Sequence, residues 1–115
     1  FNDRFGDVPV VRLAEMYLVR AEANLRLNTT TGATPLADIN AVRARAGAAP
    51  LTAATLADVL LERRLELGFE GQQLADIKRT AGTVGTIAYN ANSLVLPIPQ
   101  REIDTNKKLV QNPGY

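Results

Sequence analysis

Glu62-Arg63-Arg64-Leu65-Glu66-Leu67-Gly68-Phe69-Glu70-Gly71 closes a stretch that reads as an amphipathic helix entered at Thr55. Thr55 with Asp58 three residues later makes a capping box, and Leu56, Val59, Leu60 and Leu67 define one buried face. At about 100° per residue Arg63 points along that same face, so it is expected to be buried or nearly so. A buried guanidinium is costly unless it is paired and hydrogen-bonded, so the position calls for a carboxylate. Glu66 lies one turn away, and Glu15 and Glu22 flank the apolar face of an upstream helix. The expectation is an inter-helix contact from Arg63 to Glu15 or Glu22, within a structural ion-pair network of Arg63, Glu66, Glu15 and Glu22.

The same segment carries Asp58, Glu62, Glu66 and Glu70 at successive i+4 steps. Paired carboxylates could hold a metal or hydrolyse a glycoside. Helix-borne di-metal sites of the ferritin type use Glu-x-x-His, however, and the chain has no His. The row also drifts by about 40° per step, from solvent towards the core. It is read as architecture, with neither a metal nor a catalytic role expected.

Upstream, Ala14, Tyr17, Leu18, Ala21 and Leu25 form one face of a helix from about Val11 to Leu27, with Glu22 and Arg26 as an i,i+4 ion pair. Asn28 and the run Thr29 to Gly32 stop it. Thr34 and Pro35 are an N-cap and first-turn pair for a second, shorter stripe of Leu36, Ile39, Val42 and Ala46, ending at Gly47. That pair of helices is a hairpin. Residues 1 to 10 end at Pro9 and read as an extended entry segment.

Downstream, a short fourth helix fits Gln72 to about Thr80, with Leu74 and Ile77 inward and Gly82 near its end. Ala81 to Ser93 reads as a flexible loop. Leu94 to Leu96 is too short for an independent strand, and Pro99 starts one more helical turn through Ile103. The expected fold is all-α: about four helices in two hairpins, followed by an irregular C-terminal segment. The whole of residues 1–115 is expected to be a single helical domain, since a chain of this length builds one core.

Composition narrows the function. A net charge of +1 gives no broad electrostatic case for nucleic acid. Zero Cys excludes thiolate nucleophiles and disulfides, and zero His excludes triads and His-bearing metal sites. No apolar run approaches the ~20 residues that cross a bilayer. Arg43 and Arg45 could grip an anion, but inter-helix pairing is the better reading. Tyr89 and Tyr115 could stack on a sugar, although lone aromatics usually pack. Gly82 and Gly85 lack the Lys-Ser/Thr of a phosphate loop. No catalytic constellation, cofactor or ligand-binding residue is assigned. The start at Phe1, with the single Met at position 16, suggests a processed or excised piece.

Four ordered blocks carry a family resemblance. Arg12-Leu13-Ala14-Glu15-Met16-Tyr17-Leu18-Val19-Arg20-Ala21-Glu22-Ala23 and Asp38-Ile39-Asn40-Ala41-Val42-Arg43-Ala44-Arg45-Ala46-Gly47 come first. Glu62 to Gly71, continued by Asp76-Ile77-Lys78-Arg79, is the third. The last is Leu96-Pro97-Ile98-Pro99-Gln100-Arg101-Glu102-Ile103 with Asn106 and the terminal Gln111-Asn112-Pro113-Gly114-Tyr115. Together they resemble the C-terminal region of the SusD/RagB family, the surface nutrient-binding lipoproteins of Bacteroidetes. After Glu-Gly the family commonly has Arg and an aromatic pair; here Gln73, Leu74 and Ala75 stand instead, which leaves an ion pair and some aromatic packing unsupported.

The resemblance implies tetratricopeptide-like helical hairpins that form a scaffold for the remainder of a longer parent protein. It also implies capture of glycans or other nutrients at the outer membrane and delivery to a SusC-like TonB-dependent transporter. The lipid anchor of that family sits on an N-terminal Cys that this chain lacks. Ligands are held there largely by loops upstream of this region, so no ligand contact is carried over. Helices built to pack on a further portion should leave an apolar face uncovered. The alternative reading is a freestanding helix-hairpin module that binds a protein or peptide in a groove.

Overall fold

The computed structural model describes residues 11–115, so the expected entry segment at residues 1 to 10 lies outside the described residues. The chain divides between Gln72 and Gln73 into two compact units. The first is built on α1 (Leu13–Leu27), α2 (Pro35–Arg45) and α3 (Leu56–Glu66). Both α2 and α3 pack on α1. Ala14, Leu18 and Ala21 of α1 meet Ile39 and Val42 of α2 and Val59 of α3, with Tyr17, Leu25, Leu51 and Ala54 around them. Leu18, Ile39 and Val59 are wholly buried.

The helix ends follow from their local chemistry. Asn28 takes the left-handed conformation at φ 52°, a role open to Asn because its short polar side chain tolerates it, and α1 stops there. Thr34 Oγ1 accepts from the Ala37 amide at 3.2 Å, and Pro35 fills the first helical position, where no amide hydrogen is needed. At α3 both halves of the capping box form: Asp58 N–H donates to Thr55 Oγ1 at 3.3 Å and Thr55 N–H donates to Asp58 Oδ2 at 2.8 Å. The expected faces hold for Val59 and Leu67, which are buried, while Leu56 and Leu60 are half-buried and Ala46 is exposed.

Two asparagines tie the connections. Asn24, buried on α1, donates to the Thr31 and Ala33 carbonyls at 3.1 and 2.9 Å and accepts from Thr29 Oγ1 and the Thr31 amide at 2.7 and 3.0 Å. All four of its hydrogen-bonding positions are filled, which fixes the loop between α1 and α2. Asn40 exchanges two bonds with the Leu51 backbone at 3.0 and 2.8 Å, and so holds Leu51 against the core.

The second unit contains α4 (Gln72–Arg79) from its second residue, β1 (Thr83–Val84), β2 (Ile87–Ala88) and α5 (Gln100–Thr105). Two sequence expectations are corrected here. The stretch taken as a flexible loop from Ala81 to Ser93 contains an antiparallel hairpin pairing Val84 with Ile87 and Thr83 with Ala88. Gly85 has φ 60° while Thr86 stays at negative φ, the pattern of a two-residue turn with glycine in its first central position. Leu74 is exposed rather than inward. Gly82 lies near the end of α4 as expected, where its N–H reaches back to the Ile77 carbonyl at 2.9 Å, and Ala81 before it is left-handed at φ 54°.

The tail then closes on the segment before α5. Gln111 exchanges bonds with both backbone groups of Ile98 at 2.8 and 3.0 Å, Asn112 Nδ2 donates to the Leu96 carbonyl at 2.7 Å, and Tyr115 Oη donates to the Val95 carbonyl at 2.7 Å. Gly114 sits at φ 98° against the Asn92 side chain, where a Cβ would lie 3.0 Å from Asn92 Cβ. Backbone groups of Val95, Leu96 and Ile98 that lack strand partners find them in side chains of the tail.

Thr55→Ala is expected to lower stability by about 1 kcal/mol in urea titrations, and Leu18→Ala by roughly 2–5 kcal/mol. Asp58 titrates below its ordinary 3.8 because the Thr55 side chain and backbone donate to its charged form. Its contribution is therefore complete above pH 3.8 and declines as pH falls through the lower folded value. Acid titration of Thr55→Ala beside the parent should show the stability gap narrowing below that point; a gap constant with pH is the contrary result.

Candidate functional site

The densest polar cluster is the set of ion pairs that crosses between α1, α2 and α3. Arg12, at the N-cap of α1, donates to the Glu66 carbonyl at 2.8 Å, lies 3.1 Å from Glu66 Oε1 and pairs with Glu70 Oε1 at 2.6 Å. A guanidinium on the C-terminal carbonyls of α3 also faces the negative end of that helix. Arg45 donates to both oxygens of Glu66, each at 2.6 Å. Arg43 donates to Glu62 and, through Nε, to the Ala49 carbonyl at 2.7 Å. The side chains of Glu62 and Glu66 are 9% and 8% exposed, so these carboxylates depend on their cations.

The carboxylate row is thus distributed among four tasks. Asp58 caps α3, Glu62 meets Arg43, Glu66 meets Arg12 and Arg45, and Glu70 meets Arg12. Its drift towards the core runs as read only from Asp58 to Glu62; Glu66 as a residue is half-buried, and Glu70 falls beyond the helix end and is exposed. Among the described residues no three carboxylates are grouped as a metal could use them. Arg63 is 5% exposed and Glu22 6% exposed; Glu15 is half-buried. Glu22 pairs with Arg26 at 2.8 Å, the expected i,i+4 bridge.

Sequence reasoning missed a second pairing. Arg20 forms a two-toothed bridge to Asp38 at 2.9 and 2.6 Å, and its guanidinium stands 5.5 Å from the Tyr17 ring centroid. The Asp38 hydrogen bond leads the causes that raise the Arg20 pKa above its ordinary value. Gly32 leaves room for it: a Cβ there would lie 2.9 Å from Arg20 Nη1. Arg12 and Asn24 were missed as well. A polar residue on the core-facing stripe, as Asn24 is, was the available signal; Arg12 lies outside any helical stripe and gave none.

The remaining candidates offer little to a ligand. A cavity of about 260 Å³ between the end of α1 and the start of α2 is lined by Asn24, Asn28, Thr29, Thr34 and Leu36 among others. Asn24 is spent on the loop and Thr34 on the cap. Tyr89 and Tyr115 are part-exposed single rings, and the Tyr115 hydroxyl holds Val95. No helix among the described residues is long and apolar enough to cross a membrane.

The side chains of the cluster therefore brace helices, which defines a helical scaffold with charged cross-ties. Residues 3–94 and 80–115 match the SusD family, and the chain belongs to that family. It is 33% identical over 124 aligned residues to the starch-binding protein SusD of Bacteroides thetaiotaomicron, covering 95% of this chain and 22% of that protein. The surface glycan-binding protein A of the same organism superposes with a TM-score of 0.77 at 31% identity, over 90% of this chain and 24% of that one. A SusD superfamily protein of Bacteroides vulgatus gives 0.75 at 28% identity, over 99% and 30%. The chain thus spans less than a third of the length of these relatives. The tetratricopeptide-like helical hairpins expected from the sequence are the fold that these proteins share.

Double-mutant cycles should separate the cross-ties from ornament. Coupling between Arg43 and Glu62, read with Arg43→Met and Glu62→Gln, is expected at about 1–3 kcal/mol because one partner is buried. The exposed Lys107–Asp104 pair, 3.8 Å apart, should give less than about 0.5 kcal/mol. Equal coupling in the two cycles is the result that contradicts this ranking.

Proposed function

We propose that residues 1–115 are the C-terminal helical domain of a longer SusD-like lipoprotein, exposed at the outer-membrane surface, that captures a glycan or other nutrient and delivers it to a SusC-like TonB-dependent transporter. Within that protein this region serves as scaffold and neither binds the ligand nor catalyses. The observation that carries the reading is the use of its polar side chains: Glu62, Glu66, Glu70, Asp38 and Asn24 are each engaged by another part of the same unit. Relatives named for starch and glycan binding supply the substrate class. Capture by hydrogen bonding and stacking calls for no cofactor, and the charge balance gives nucleic acid no foothold.

Calorimetry with starch-derived and other oligosaccharides tests the division of labour. The full-length gene product is expected to bind one glycan class, and the 115-residue chain alone to show no heat of binding. Measurable sugar affinity in the short chain overturns the scaffold assignment. The parent reading frame should also open with a signal peptide and an early lipid-accepting Cys, beside a transporter gene.

The reading includes a structural task for Arg63, with Glu15 or Glu22 as its inter-helix counter-charge and Glu66 in the same network. Burial of Arg63 and Glu22 supports it. Arg63→Met combined with Glu22→Gln, and separately with Glu15→Gln, should reveal coupling above about 1 kcal/mol in one cycle. Coupling near zero in both removes these carboxylates from the task.

A further inference from the structure

From Gln73 to Tyr115 no described residue is buried, so the second unit has no core that could fix its parts. Helix α5 lies within it and spans six residues. Helices shorter than ~12 residues are marginal in water without packing, and Ile103, the apolar residue of α5, is only half-buried. The pairs on its surface are local: Gln100 Nε2 donates to Asp104 Oδ1 at 3.0 Å, and Lys107 lies 3.8 Å from Asp104. What keeps α5 wound therefore lies at the ends of the loop that contains it.

Those ends are joined by one side chain. Ile98 N–H donates to Gln111 Oε1 at 2.8 Å, and Gln111 Nε2 donates to the Ile98 carbonyl at 3.0 Å. The side-chain amide thus offers one acceptor and one donor to both backbone groups of one residue, as a hydrogen-bonded strand partner does. Gln111 Oε1 also accepts from the Asn112 amide at 2.9 Å, a third bond that orients the side chain. Ile98 and Gln111 stand 13 positions apart, within the roughly 6–16 residues of closed surface loops whose ends meet. Past the loop, Asn112 and Tyr115 fasten the tail to Leu96 and Val95, and Gly114 lets it run close to Asn92. The base is pinned from outside, and Gln111 spans the mouth.

We infer that residues 98–111 are a latched loop: Gln111 closes it on Ile98, and on release of that amide the loop opens and α5 unwinds as one unit while α1, α2 and α3 stay folded. The first unit supports a separate transition, because its core and its cross-ties are built from residues before Gln73. Opening the latch breaks two neutral hydrogen bonds and a short helix and uncovers little apolar surface, so it costs far less than unfolding that core. Closed, the loop holds the exposed charges of Arg101, Glu102, Lys107 and Lys108 in one arrangement; open, it releases them together. Segments that move in binding proteins are drawn from this low-stability end.

Deuterium exchange read by peptide mass spectrometry on the full-length gene product tests the latch. In the unsubstituted protein, peptides spanning 98–111 should exchange more slowly than a free peptide of that sequence and at least roughly tenfold faster than those spanning α3. Gln111→Met keeps the side-chain length and removes both bonds to Ile98. It should speed exchange across 98–111 by about a further tenfold and leave α1, α2 and α3 unchanged, since two lost hydrogen bonds are worth about that. Tyr115→Phe loosens the tail outside the loop and should leave exchange in 98–111 as it was.

Exchange in 98–111 as slow as in α3, or as fast as in the free peptide, overturns the inference. So does a Gln111→Met protein in which exchange is unchanged, which places the closure elsewhere, or rises alike through α1, α2 and α3, which makes Gln111 part of the global fold. The comparison of regions within the unsubstituted protein keeps the test in force should Gln111→Met fail to fold. No ligand enters the measurement, so its outcome is separate from that of the functional reading.

Discussion

Two carboxylates buried on α3 need cations, and this need organises the first unit. Glu62 and Glu66 sit where α3 turns its charged row towards the interior, and a carboxylate held there without a cation is costly. Their cations come from elsewhere in the sequence: Arg43 and Arg45 from the last turn of α2, Arg12 from the entrance to α1. Three separate segments are thereby held in one arrangement. The aliphatic core is small, and six buried side chains on three helices specify orientation weakly. A guanidinium that must meet a carboxylate at hydrogen-bond distance specifies it far more narrowly.

Charge and capping work on different scales in this arrangement. The capping box at Thr55, the Thr34 cap and the left-handed Asn28 set where helices begin and end. The cross-ties set how those helices meet. Arg45 is largely exposed and Arg12 partly so, and solvent weakens their pairs, whereas Glu62 with Arg43 is the better shielded. The network thus acts chiefly through the penalty for separating its buried members. That is the behaviour expected of a specifying contact rather than of a stabilising one.

What could be read in the sequence was local. Capping residues, the Glu22–Arg26 bridge and the burial of Arg63 each follow from spacing along one helix, and each is present. The pairing scheme was not legible, because which arginine reaches Glu66 depends on how two helices cross. Nor was the Arg20–Asp38 bridge, which joins residues on different helices. The β1–β2 hairpin escaped because two-residue strands hold too little alternation to register, and the glycine at Gly85 was weighed for phosphate binding instead of for its turn. Leu74 misled because helical spacing shows which side of a helix is apolar, not whether anything covers it.

That last distinction bears on the whole molecule. The first unit has a core small for its length, while α1 and α3 carry as much apolar side chain outward as inward. A domain selected to stand alone would place charges along those outer rows, because exposed leucines promote association. On the inner side Glu62 and Glu66 meet arginines from other segments, while Leu13, Val19, Leu61 and Leu65 stay exposed on the outer side.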